Sequence, residues 1–205
     1  MNARKIILAA IALGALALAA WRLWGGGEYE IVNAHPRGAH IIAFGDSLTA
    51  GYGADKGRDY VSLLSQRFGV PVLNKGRAGD TTAEALARLE ADVLRQDPRI
   101  VIVFLGGNDY LRRGSVDEAF ANLETIISRI QGQGALAILV GMKSPLGQYE
   151  GRYRALARRM GCPYVPNVMK DVLGNRARMT DATHPNNAGY AILAERIGDV
   201  LARHL

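Results

Sequence analysis

A serine hydroxyl in water is a poor nucleophile. Ser47, in the stretch FGDSLTAGYG over residues 44–53, therefore matters chemically only if the chain also supplies a base within hydrogen-bond reach and donors for a developing oxyanion. The chain has four histidines. His35 lies in a Gly- and Pro-containing leader, His204 at the C-terminal end, and His40 at the far end of the apolar run that leads to Ser47. His184 remains. Pro185 follows it and suits the first turn of a helix, which would hold the imidazole on a fixed turn. Asp181 precedes it in DATH, at a spacing that lets a carboxylate take the proton on one ring nitrogen and leave the other free for the serine proton. Three groups can donate to an oxyanion: the Ser47 N–H, the N–H of Gly79 in RAGDTT, and the side-chain amide of Asn108 in GGND. Each has a plain alternative, Asn108 as a turn residue for instance. In combination they describe acyl transfer through a serine ester. Asp46, Asp80 and Asp109 read as caps or loop braces, and Gly51 and Gly53 as turn residues. Tyr52, Tyr110, Leu111, Pro145 and Leu146 stand beside these motifs and are candidates for lining an acyl pocket.

The elements that must position this set alternate between strand and helix. Short apolar runs, HIIAFG, VPVLN, RIVIVFLGG, LAILVG and the weaker CPYVPNV, are separated by helical patterns, as expected of a parallel sheet covered by helices on both faces. A helix is expected near Tyr60 to Phe68. Thr81 with Glu84, and Ser115 with Glu118, have the spacing of capping boxes. The helix behind the first carries Leu86, Leu89 and Val93 at intervals of three and four, and the one behind the second carries Phe120, Leu123, Ile127 and Ile130. A last helix has Tyr190, Leu193, Ile197, Val200 and Leu201 on one stripe. In open sheets of this kind ligands bind beyond the carboxyl ends of the strands. GDS, NKGRAGDTT and GGND follow the first three strands, and DATHPN precedes the last helix, so all four polar clusters can meet at one rim.

Taken together, GDSLTAGYG, GDTT preceded by Gly79, GGND and DATHPN resemble the blocks of the SGNH, or GDSL, hydrolase family, in the family's order and over nearly all of the chain from His40 to Leu205. The resemblance implies a three-layer α/β/α fold with a flavodoxin-like, five-stranded parallel sheet. It implies Ser47 as nucleophile, His184 as base, Asp181 as its orienting carboxylate, and Ser47, Gly79 and Asn108 as the oxyanion hole, with no cofactor and no metal. Within the family, NKGRAGDTT and SPLGQYEGRY are most similar to the bacterial thioesterase, lysophospholipase and arylesterase type, whose substrates are acyl esters, thioesters or lysophospholipids. The alternatives are a carbohydrate O-deacetylase of the same fold and a non-catalytic anchored binding module.

Composition limits the setting. The chain has 205 residues, 49% of them hydrophobic, enough for one domain with a full core. The formal charge of +6 comes from arginines scattered along helical segments, which reads as solvated helix faces. No aromatic-interleaved basic stripe marks a nucleic-acid partner, and a monomer is expected. Cys162 is the sole cysteine, so an internal disulfide is excluded. At the N-terminus, Arg4 and Lys5 precede an apolar run from Ile6 to Trp21 and the sequence WRLW. Residues 1–27 read as a signal anchor, or as a signal peptide cleaved after a small-residue site. Residues 28–39 follow as a linker and 40–205 as the hydrolase domain. Either form places the domain in the cell envelope: periplasmic on an inner-membrane anchor, or released to the periplasm. G-x-S-x-G is missing around Ser47, which argues against an α/β-hydrolase elbow. The single suitable histidine argues against a metallophosphoesterase, and the lack of a P-loop or G-x-G-x-x-G against a nucleotide binder.

Overall fold

The computed structural model describes residues 29–143 and 148–205. The N-terminal apolar segment, Pro145 and Leu146 lie outside the described residues. From Ile31 onward the chain forms one unit.

Five parallel strands carry the fold: β1 (His40–Gly45), β2 (Val72–Gly76), β3 (Pro98–Phe104), β4 (Leu136–Val140) and β5 (Tyr164–Val165). Their order is β2-β1-β3-β4-β5, the flavodoxin-like arrangement with its topological switch between β1 and β3. Ile41 pairs with Val72 on one side and Ile100 on the other. Because side chains alternate across a strand, each strand feeds two cores. Ile41, Ala43, Ile100, Ile102 and Phe104 face one layer, formed by α2 (Tyr60–Phe68) and the C-terminal helix Asn187–Leu201. Ile42, Phe44, Val101, Val103 and Leu105 face the other, where α3 (Thr82–Asp92), α5 (Val116–Gly132) and α6 (Gln148–Met160) pack. Two short helices, α1 (Ser47–Ala50) and α4 (Gly107–Leu111), leave the carboxyl ends of β1 and β3. The C-terminal helix is α7. With apolar layers on both faces, the central strands are buried along nearly their whole length, as parallel sheets require.

Several local expectations change. The Thr81–Glu84 capping box forms in full. At α5, Ser115 accepts from the Glu118 N–H without the reciprocal half of the box. CPYVPNV yields only two strand residues, because Pro163 and Pro166 bracket Tyr164 and Val165 and lack the N–H a ladder needs. Pro185 is not in a first helical turn: it sits in an antiparallel bridge with Met179, and α7 begins at Asn187 behind the Asn186 cap. Residues 31–39 are not a free linker. Asn33 donates to the carbonyls of Gln131 and Ala135, both at 2.9 Å, the Val32 N–H donates to the Gly161 carbonyl, and Ile31 packs on the core. These bonds satisfy carbonyls at the end of α5, just before β4 and just past α6, which is why the strap holds.

Candidate active site

The end of β1 brings the nucleophile candidate to the sheet edge by close backbone packing. A Cβ at Gly45 would stand 2.1 Å from Thr49 Oγ1 and 2.5 Å from the Phe104 carbonyl oxygen, so only glycine lets α1 turn back this tightly over β3. Asp46 caps α1, its Oδ1 accepting from the Leu48 N–H at 3.0 Å. Burial pushes its carboxyl up to about 7, with the Leu48 hydrogen bond opposing. Ser47 is the first residue of α1.

The DATH turn is wound on Asp181. Its Oδ1 accepts from the N–H groups of Thr183 and His184, both at 2.8 Å, which fixes the three-residue spacing seen in the sequence. The same carboxylate meets His184 Nδ1, at 2.8 Å from Oδ2 and 3.0 Å from Oδ1. These bonds, first that from His184 Nδ1 and then the two backbone N–H groups, hold Asp181 well below the usual carboxylate range. A proton on Nδ1 directed at Asp181 leaves Nε2 as an acceptor, and Nε2 lies 3.0 Å from Ser47 Oγ. Carboxylate, imidazole and hydroxyl thus form one unbroken hydrogen-bond line across 137 residues of sequence separation. Such a line can pass the serine proton to the imidazole as the oxygen attacks a carbonyl carbon.

Two further loops close on this line. Asn108 is the second residue of α4, and its Nδ2 donates to the Asp80 carbonyl at 2.9 Å. An amide nitrogen carries two hydrogens, so one remains for a ligand. Gly79 immediately precedes Asp80, and its N–H makes no hydrogen bond among the described residues. Asp109 bolts the two loops together: it accepts from the Thr82 N–H at 3.0 Å and the Thr82 hydroxyl at 2.7 Å, with both side chains buried. The brace reading of Asp80 and Asp109 is what the structure has. Asp80 in turn pairs with Arg88 Nε at 2.5 Å. Arg88 also donates to the carbonyls of Gly45 and Lys75, each at 2.9 Å, and lies 4.5 Å over the Phe44 ring. The arginines do not all belong to solvated faces: Arg88 is buried and ties β1 to the Gly79 loop. It shares the inward stripe of α3 with Ala85 and Leu89, a position that the stripe built on Leu86, Leu89 and Val93 passes over.

A cavity of about 280 Å³ opens beside Ser47 and His184. Of the pocket candidates, Tyr110 and Leu111 line it, next to Asn108, whereas Tyr52 does not. Leu48, Met142, Tyr149, Met169 and Leu173 add to the apolar wall. Met169 and Leu173 are four residues apart and joined by a backbone hydrogen bond of 3.0 Å, a single helical turn in a stretch that reads as loop. That spacing is the only sequence signal for them.

The GDSL-like lipase/acylhydrolase family model matches residues 43–192. The chain is 30% identical over 174 residues to an esterase named TesA from Pseudomonas aeruginosa, covering 78% of this chain and 87% of that one. It is 29% identical over 165 residues to thioesterase 1/protease 1/lysophospholipase L1 of Escherichia coli K12, covering 76% and 79% respectively. A crystal structure of TesA superposes with a TM-score of 0.77 at 30% identity, over 82% of this chain and all of that one. By motif, fold and similarity, the chain belongs to the GDSL-like lipase/acylhydrolase family.

Proposed function

We propose that this ester-bond hydrolase cleaves acyl esters and thioesters, lysophospholipids among them, through an acyl-enzyme on Ser47. The observation that carries the reading is the line from Asp181 through His184 Nε2 to Ser47 Oγ, with its last bond of 3.0 Å, at the mouth of an apolar cavity. Ser47 Oγ attacks the carbonyl carbon as its proton passes to Nε2. The tetrahedral oxyanion is met by the Ser47 and Gly79 N–H groups and the free Asn108 amide hydrogen, each such donor being worth about 3–4 kcal/mol of barrier. The C–O or C–S bond then breaks, and the imidazolium gives its proton to the departing alkoxide or thiolate. Water repeats the sequence on the acyl-serine and returns the enzyme. An apolar wall of Tyr110, Leu111, Met142, Met169 and Leu173 suits an alkyl or aryl acyl chain better than a sugar, which favours this reading over O-deacetylation. The names of the relatives, esterase and thioesterase/lysophospholipase, support the same substrate class. Every group the reaction needs comes from one chain, which supports a monomer.

We also assign the domain to the cell envelope, held by residues 1–27 at the inner membrane or released after cleavage. The support is sequence pattern: the Arg4-Lys5 pair, the apolar run behind it and WRLW. The functional test is kcat/KM for p-nitrophenyl acyl esters, acyl thioesters and lysophospholipids in wild type and Ser47→Ala. Turnover on at least one class that disappears in the variant is expected; undiminished turnover in Ser47→Ala removes Ser47 from the role.

A further inference from the structure

The turn after α1 places Tyr52 against the base instead of the substrate. The Tyr52 ring centroid lies 4.6 Å from that of His184, with the planes inclined at 53°, although Tyr52 is 59% exposed. An exposed ring stays on such a site only if its backbone is held, and it is. Tyr190 donates its hydroxyl to the Tyr52 carbonyl at 2.8 Å, and Tyr190 is itself fully buried in α7. Thr180 donates its hydroxyl to the Gly53 carbonyl at 2.8 Å and its N–H to the His184 carbonyl at 2.9 Å. Gly53 has φ +92°, and a Cβ there would stand 2.6 Å from the Pro185 carbonyl oxygen and 3.2 Å from His184 Cβ. The nucleophile's turn and the base's turn are therefore packed backbone to backbone, with no room for a side chain between them.

We propose that Tyr52 is a positioning residue for His184: its ring, held by this clamp, fixes the imidazole plane and offers a π face to the imidazolium formed at each proton transfer. Asp181 grips the imidazole only along its Nδ1 edge, which leaves the ring free to tip about that edge and carry Nε2 away from Ser47. The Tyr52 ring blocks that motion. Asp181 is also 45% exposed, so its field on the imidazolium is screened by water, and an aromatic face within about 6 Å adds attraction for the cation. The assignment rests on His184 as the base.

The test uses the full-length chain and an aryl acyl ester, with Tyr52→Phe, Tyr52→Leu and Tyr52→Ala. The clamp acts through the carbonyls of residues 52 and 53, so the three variants should keep the wild-type unfolding temperature. Phe keeps the ring and should hold kcat within about two-fold. Leu keeps an apolar side chain against the imidazole without the π face and should lose roughly two- to five-fold, the size of an exposed cation–π contact. Ala loses both and should fall about ten-fold or more, the scale of general-base catalysis that depends on the imidazole being in place. KM should stay within about two-fold throughout, on the same grounds. Wild-type kcat in Tyr52→Ala, a loss confined to KM, or equal damage in Phe and Ala would each overturn the proposal. His184→Ala, run alongside, separates the two levels: activity that survives there sinks the base assignment itself.

Discussion

Replacing Arg88 with Met removes the cation between the Gly79 loop and β1 but keeps most of the side-chain volume. The side chains of Arg88 and Asp80 are 9% and 7% exposed, and the pair is 2.5 Å apart. Breaking such a pair from one side strands the other charge, at a cost of about 3–5 kcal/mol. Asp92, the second acidic partner at 2.8 Å, is 28% exposed and can turn to water, so Asp80 bears most of the loss. Removing both charges in Arg88→Met/Asp80→Asn relieves that term. What remains is the loss of two charged donors to the Gly45 and Lys75 carbonyls, about 1.5–3 kcal/mol for a hydrogen bond of this kind, with Gly45 still accepting from the Arg77 N–H. Urea denaturation of wild type, both single variants and the double variant closes a cycle, whose expected coupling energy is about 2 kcal/mol or more. Additivity to within about 0.5 kcal/mol would refute the claim that the two charges hold each other in the interior. The Asp80 carbonyl takes the Asn108 amide, so kcat should fall in Arg88→Met together with stability.

Asp46 gives a pH signature. Its carboxyl is raised by burial from 3.8 to about 7, so the folded protein keeps a proton that the unfolded chain releases. Its contribution to stability is full below about pH 4 and is lost as pH rises through 7. Asp46→Asn should therefore gain on wild type between pH 4 and 8, by a few kcal/mol at most, at about 1.4 kcal/mol for each pH unit between the two values; a constant difference in urea denaturation across that range would contradict the burial argument. Asp181, held low by His184 and the Thr183 and His184 N–H groups, acts in the opposite sense. Its stabilisation is present above 3.8 and is lost as pH falls below that value, so Asp181→Asn should flatten the acid limb of the stability curve. In the cavity, Leu173→Trp fills part of about 280 Å³ and should shift the preferred acyl chain shorter by two or more carbons. Each excluded methylene forfeits about 0.8 kcal/mol of burial, so kcat/KM should drop steeply for the longer esters; an unchanged chain-length profile would place the acyl group elsewhere.

The sheet and the hydrogen-bond line from Asp181 through His184 to Ser47 were legible because both rest on local rules. Apolar β-branched runs alternate with helical periodicity, and the polar motifs fall just past the strands, where this class of fold binds ligands. His184 emerges because every other histidine sits at the wrong place along the chain. Less legible is whatever depends on contacts between distant segments. Arg88 looks like any helical arginine until Asp80 and two carbonyls surround it, and Tyr52 looks like a pocket residue until the clamp from Tyr190 and Thr180 sets it against the His184 ring. Pro185 fits a helix start by its own chemistry, yet the bridge to Met179 keeps it outside α7. Asn33 shows the same limit, since nothing in a polar linker announces that it will tie the end of α5 to the start of β4.

The most direct test of the account is the mass of the intact protein after exposure to a p-nitrophenyl alkylphosphonate, a mimic of the tetrahedral intermediate, followed by mapping of the modified peptide. The account predicts one stoichiometric adduct, located on Ser47 and formed far more slowly in His184→Ala. Rapid labelling of Ser47→Ala at the wild-type rate, or an adduct mapped to a different residue, would contradict it.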